Sequence, residues 1–67
     1  MNTYIVQTSL FYYLVHADSP LDAWTTTVTT DIDYFATDST ELQNKLLTQG
    51  FSTITPSKFE GVFIVDN

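Results

Sequence analysis

A strand ends and a helix begins within the stretch VHADSPLDA, Val15–Ala23. Ser19 is a favourable N-cap residue, Pro20 suits the first helical position, and the carboxylate of Asp22 suits the positive end of the helix dipole. Because these start signals agree, the sequence predicts a helix from Pro20 to about Thr29.

The segment after this junction also fits a strand. Residues Thr25–Thr30 are β-branched throughout, and such side chains lose rotamer freedom in a helix. An alternation of period two would place on one face Thr26, Val28, Thr30, Ile32 and Tyr34. We prefer the helix because its start signals agree at three positions. We expect Ile32–Thr37 to form a short strand or an irregular edge.

The segment before the junction, Thr3–Ala17, is rich in residues that favour strands. It reads as one long strand or as two consecutive strands. Unbroken alternation would place Tyr4, Val6, Tyr12 and Leu14 on the same face. Both faces are apolar near the middle, which is typical of a central strand covered on both sides or of a strand with one face given to a partner.

A second helix follows the junction. Asp38 or Ser39 caps its start, an apolar stripe runs through Leu42, Leu46 and Leu47, and Gly50 suits a left-handed residue at its end. These signals predict a helix that ends just before Gly50.

Two strands are predicted after this helix, at Phe51–Thr55 and Phe59–Val65, with the turn Pro56–Lys58 between them. The element order is then strand, helix, optional strand, helix, strand, strand. We expect a single α+β domain over residues 1–67, with a mostly antiparallel sheet of three to four strands and both helices on one face.

Composition excludes several classes of function. The chain has 67 residues, eight acids, no cysteine and only two basic side chains, Lys45 and Lys58, so its net charge is −6. Two lysines cannot neutralise many phosphates, so we expect no direct nucleic-acid binding and no binding to an anionic membrane. The N-terminus shows no targeting segment, and a cytoplasmic location is the default expectation. An acidic protein is instead attracted to basic surfaces.

No catalytic or metal-binding pattern emerges from the sequence. A calcium loop beginning at Asp31 fails because Phe35, Ala36 and Leu42 occupy its fifth, sixth and twelfth positions. His16 is the single histidine and has no accompanying nucleophile motif. We therefore expect no enzymatic activity, no cofactor and no metal.

Acidic and aromatic side chains are the remaining candidates for a binding site. The acids that we place in a partner-binding site are Asp31, Asp33, Asp38 and Glu41, which would steer a basic partner. The aromatic residues that we expect to be exposed are Tyr12, Tyr13, Tyr34 and Phe35. Those that we assign to the core are Phe11, Trp24, Phe51 and Phe63.

The small size and negative charge resemble those of the short accessory proteins that phages use against host machinery, including anti-CRISPR proteins. The resemblance is to this general class of small proteins and not to a particular family. It implies an inhibitor or adaptor that docks on a larger protein, with a basic, nucleic-acid-handling protein as the favoured partner. The alternative is a homo-oligomeric structural or assembly protein that uses the first strand or the Tyr12 and Tyr13 region as its interface.

Overall fold

The fold is an antiparallel sheet with two helices. The computed structural model describes residues 2–26 and 32–66. Its elements, in chain order, are β1 (Asn2–Gln7), β2 (Tyr12–Ala17), α1 (Pro20–Thr26), β3 (Ile32–Ala36), α2 (Ser39–Thr48), β4 (Thr53–Pro56) and β5 (Val62–Asp66).

The sheet has five strands in the order β3-β2-β1-β5-β4, and every neighbouring pair is antiparallel. The predicted α+β class is therefore confirmed, but the predicted count of three to four strands is wrong. The difference has two sources: the N-terminal segment forms two strands, and Ile32–Ala36 forms a regular edge strand despite one bulge.

The first two strands form a hairpin around residues 8–11. Gln7 pairs with Tyr12, and the hydroxyl of Thr8 accepts hydrogen bonds from the backbone N–H groups of Leu10 and Phe11 at 3.3 and 3.0 Å. This turn resets the alternation. Tyr4 therefore pairs with Val15 and shares its face of the sheet. The prediction that Tyr4 and Leu14 lie on the same face is wrong.

The predicted start of α1 is confirmed. The Ser19 hydroxyl accepts a hydrogen bond from the Asp22 N–H at 3.2 Å, and Pro20 is the first residue of the helix. The helix is described to Thr26. Its predicted continuation to Thr29, and the choice between helix and strand there, lie outside the described residues.

Both ends of α2 follow from the sequence. Asp38 is the N-cap and accepts a hydrogen bond from the Glu41 N–H at 2.9 Å. Gly50 has φ +84°. The Gly50 N–H donates to Leu47 O at 3.1 Å and the Phe51 N–H to Leu46 O at 3.0 Å, which is the Schellman pattern.

The two helices lie on opposite faces of the sheet, so the prediction that they share one face is wrong. Ala23 of α1 packs with a cluster that contains Tyr4, Val6, Val15, Ala17 and Val62. Leu42 and Leu46 of α2 pack with a separate cluster that contains Ile5, Leu14, Ala36 and Val65. Neighbouring residues of one strand point to opposite faces, so β1 supplies Ile5 to one core and Val6 to the other.

The predicted C-terminal hairpin is confirmed, but its strands start later than expected. Ile54 pairs with Val65, and residues 57–61 form the turn. Gly61 belongs to this turn, with φ +83°, and its carbonyl accepts a hydrogen bond from the Gln7 N–H at 2.7 Å. A Cβ at this position would lie 3.1 Å from Gln7 O, so both the backbone angle and the close approach favour glycine.

Candidate protein-interaction surfaces

Three of the predicted acids lie along the β3 flank of α2, with Asp38 and Glu41 at the start of the helix and Asp33 beside Gln49 at its end. We call Asp33, Asp38 and Glu41 the acidic patch. All three are exposed, and each also accepts an intramolecular hydrogen bond. The Gln49 amide donates to Asp33 at 3.2 Å, and the Thr37 N–H donates to Glu41 at 3.2 Å. The fourth predicted acid, Asp31, lies outside the described residues.

Tyr34 is half-buried beneath this patch and is less exposed than the sequence predicted. The Lys45 ammonium group lies 5.2 Å from the centre of its ring. Partial burial raises the pKa of the Tyr34 phenol, and so do its hydrogen bonding to the Glu41 carboxylate and the negative charges of Glu41 and Asp38. Tyr34 thus lies in the negative potential of Glu41 and Asp38.

Phe35 points to the opposite face of the sheet from Tyr34. It is 57% exposed, which confirms the predicted exposure. Its ring meets that of Phe11 edge to face, with 5.6 Å between the centroids, and Phe11 meets Tyr13 at 6.0 Å. Phe35 and Tyr13 therefore form one aromatic surface on the α1 side, separate from Tyr34.

The predicted division of aromatic residues into exposed and core sets is partly wrong. Trp24 was assigned to the core but is 47% exposed. Tyr12 and Tyr13 were expected to be exposed but are half-buried, because each packs against one of the two cores. The short helix α1 turns Ala23 towards the sheet, so the next residue, Trp24, lies at the surface.

An apolar groove that the sequence did not reveal lies on the α2 side, between α2 and β4. It consists of two adjoining cavities of about 250 and 180 Å³, and both are lined by Gln43 and Ile54. Leu47 and Phe51 line the first cavity, and Tyr12 and Phe63 line the second. We call this continuous surface the α2–β4 groove.

The caps of α2 help to build this groove. The Schellman turn at Gly50 holds Phe51 close to the Leu46 end of the helix, where both belong to the α2-side core. Phe51 is only half-buried there, so it forms part of the groove wall. Leu47 follows Leu46 by one residue, about 100° around the helix, and is 72% exposed.

The predicted stripe of Leu42, Leu46 and Leu47 is therefore only partly a core stripe. Leu42 and Leu46 are buried, but Leu47 stands at the edge of the groove. One signal for this was available in the sequence, because Leu42 and Leu46 are four residues apart whereas Leu47 falls outside that spacing.

A second concave surface lies on the α1 side. It has a volume of about 490 Å³, and its lining includes Pro20, Lys58, Phe59 and Ile64. Lys58 makes this surface different from the α2–β4 groove, whose lining residues carry no charged side chain.

Within residues 2–26 and 32–66, no group of three or more His, Cys, Asp or Glu side chains is placed to hold a metal ion. Neither described helix is long and apolar enough to cross a membrane. Comparisons with protein-family models, with curated proteins and with solved structures find no match.

Proposed function

We propose that this chain is an acidic protein-binding module that docks on a larger protein as an inhibitor or adaptor. The favoured partner presents a basic surface, as proteins that handle nucleic acids do. The observation that carries the proposal is that one acid of the patch lies two residues from an exposed aromatic residue on the same edge strand. Asp33 and Phe35 both belong to β3, and both are exposed.

The two kinds of side chain serve different steps of binding. Carboxylates of a protein with net charge −6 attract a basic surface over a distance and increase the association rate. Exposed aromatic side chains bury a large area at low entropic cost and slow dissociation. The acidic patch would orient the approach, and the exposed apolar side chains would hold the complex.

The first test is affinity capture with the tagged protein, in the presence of nuclease and at low and high salt. We expect one dominant basic partner whose recovery falls at high salt, because exposed charges are screened. Recovery of the bait alone would contradict the proposal.

The role of the patch is tested by charge reversal with the purified partner. Asp33→Lys and Glu60→Lys change the net charge equally, but Glu60 lies in the β4–β5 turn, and β4 and β3 are opposite edges of the sheet. We expect Asp33→Lys to lower the association rate several-fold more than Glu60→Lys, with a smaller change in dissociation. Equal effects of the two variants would show that only net charge matters. The corresponding variant Asp31→Lys tests the fourth predicted acid.

The homo-oligomer hypothesis is supported by a different observation. β3 and β4 are the two edge strands of the sheet, and an edge strand can pair with another chain. If copies associate through β3, thermal stability will rise with protein concentration. A species that sediments as a monomer at high concentration would exclude this alternative.

A further inference from the structure

We infer that the α2–β4 groove receives an apolar segment of the partner protein that also carries lysine or arginine residues. This inference rests on the proposed function and names the chemistry of the segment that is bound. Of the described residues that the sequence placed in a binding site, Tyr12 lines the groove and the others do not, so the groove adds a second contact surface.

The apolar part of the inference follows from the lining. Leu47 and Ile54 are 72% and 47% exposed, and both line the groove, where a bound segment would cover them. The polar side chains of the lining are uncharged, namely glutamine, serine, threonine and tyrosine.

The charge of the segment follows from the charge of the chain around the groove. Ser39 lines one end of the groove and directly follows the N-cap Asp38, and the chain as a whole has a net charge of −6. Neither lysine lines the groove, because Lys45 lies over Tyr34 and Lys58 borders the α1-side cavity. An apolar segment that also carries basic residues therefore complements the uncharged lining and the negative charge of the surrounding chain.

The two flanks of α2 explain why these features are separate. Gln43 and Leu47 are four residues apart and face the groove, whereas Glu41 and Lys45 are four apart and lie on the side of β3 and Tyr34. A partner that covers α2 would meet the groove on one flank and the acidic patch on the other.

Two other modes of binding are disfavoured. A second copy of this chain would bring another net charge of −6 against the groove, which opposes association. Addition of a strand to the outer edge of β4 is disfavoured because Pro56, in this four-residue strand, has no backbone N–H. Insertion of side chains into the groove remains the favoured mode.

The test is titration of the ¹⁵N-labelled protein with model peptides, followed by amide chemical shifts. The first probe is an amphipathic leucine–lysine peptide of about 14 residues with leucines at helical spacing. The controls are a scrambled peptide of the same composition and a leucine–glutamate peptide with the same stripe. We expect shifts at Leu47, Phe51 and Ile54 with the first probe and at least about tenfold weaker binding of both controls.

Matched variants decide whether the groove is the site. Leu47→Glu and Leu10→Glu make the same change at side chains that are 72% and 73% exposed, and Leu10 lies in the β1–β2 turn. We expect about a tenfold loss of affinity with Leu47→Glu and no more than a twofold change with Leu10→Glu. An unchanged spectrum of each variant away from its substitution confirms that it folds.

The opposite results would overturn the inference. They are equal affinities of the two variants, equal binding of the leucine–glutamate peptide, or a concentration-dependent dimer that Leu47→Glu dissociates. If a captured partner still binds Leu47→Glu normally but is lost with Asp33→Lys, the groove inference fails and the proposed function stands. If no partner is captured, the proposed function itself fails.

Discussion

The two faces of the sheet obtain their cores from different sources. On the α1 side Ala23 is the one helix residue in the buried cluster among the residues whose burial is described, and the strands supply larger side chains such as Tyr4 and Val15. On the α2 side the helix itself supplies Leu42 and Leu46. The comparison teaches that close packing on the α1 side requires a small helix residue, whereas close packing on the α2 side requires large ones. The same strands contribute side chains to both cores.

The largest expected effect is on the α2 side. Leu46→Ala removes a buried side chain and leaves a cavity, so it should lower the free energy of unfolding by about 2–5 kcal/mol. Leu47→Ala should change it by less than about 0.5 kcal/mol, because Leu47 is exposed. Urea denaturation of both variants measures the difference. Similar losses would show that Leu47 contributes to the core.

The α1 side should respond to the opposite change. Ala23 is fully buried, so Ala23→Leu should lower the free energy of unfolding by about 1–3 kcal/mol through overpacking. Thr25→Leu on the exposed side of the same helix is the control, with an expected change within about 0.5 kcal/mol. If Ala23→Leu is neutral in the same denaturation experiment, the α1-side core has spare volume, and the claim that this side requires a small helix residue is contradicted.

The two helix caps sharpen the comparison at a smaller scale. Asp38→Ala removes an acceptor at 2.9 Å that also carries a charge near the helix N-terminus, and we expect a loss of about 1 kcal/mol. Ser19→Ala removes a neutral acceptor at 3.2 Å, and we expect a smaller loss of about 0.5 kcal/mol. Thermal unfolding measures both. A larger loss for Ser19→Ala would mean that the N-cap of α1 contributes more to stability than the N-cap of α2.

Local signals made these caps predictable, whereas the placement of the helices was not. Ser19, Asp38 and Gly50 act through neighbours a few residues away, and the structure confirms each. The face that a helix covers depends on the alternation of the strand it packs against. Without glycine or proline at residues 8–11, the hairpin turn was not recognised, and the alternation was carried through it in the wrong phase.

The smallest expected effect is a dependence on pH that belongs to the α2 side. The pKa of Tyr34 is raised in the folded protein above the unfolded value of about 10. The folded state therefore retains this proton more tightly, and the resulting stabilisation is present below pH 10 and lost as the pH rises through the folded pKa. Tyr34→Phe should remove this dependence in denaturation series at neutral and alkaline pH.

Absorbance titration of the tyrosinate provides an independent check of the same change. The folded wild type should show a component above the usual range for tyrosine, and Tyr34→Phe should lack it. A titration curve that keeps this component in the variant would assign it to another tyrosine.

The binding surfaces were predictable only where one segment contains them. Asp38 and Glu41 are close in sequence and both lie near Tyr34, whereas Asp33 contacts Gln49 at the other end of α2. Phe35 could not be assigned to the other face without knowing the β3 pairing. The groove combines Leu47 with Ile54 and the distant Tyr12, so it depends on the strand order β2-β1-β5-β4 that no local pattern encodes.

The central claim is that a partner protein binds the α2 side of the sheet. The most direct test is amide hydrogen exchange of the chain alone and in complex with the captured partner. We expect new protection in residues 43–54, which include the C-terminal half of α2 and the start of β4, and in β3. Protection confined to residues 20–26 and 57–59, which border the α1-side cavity, would place the partner on the α1 side and contradict the claim.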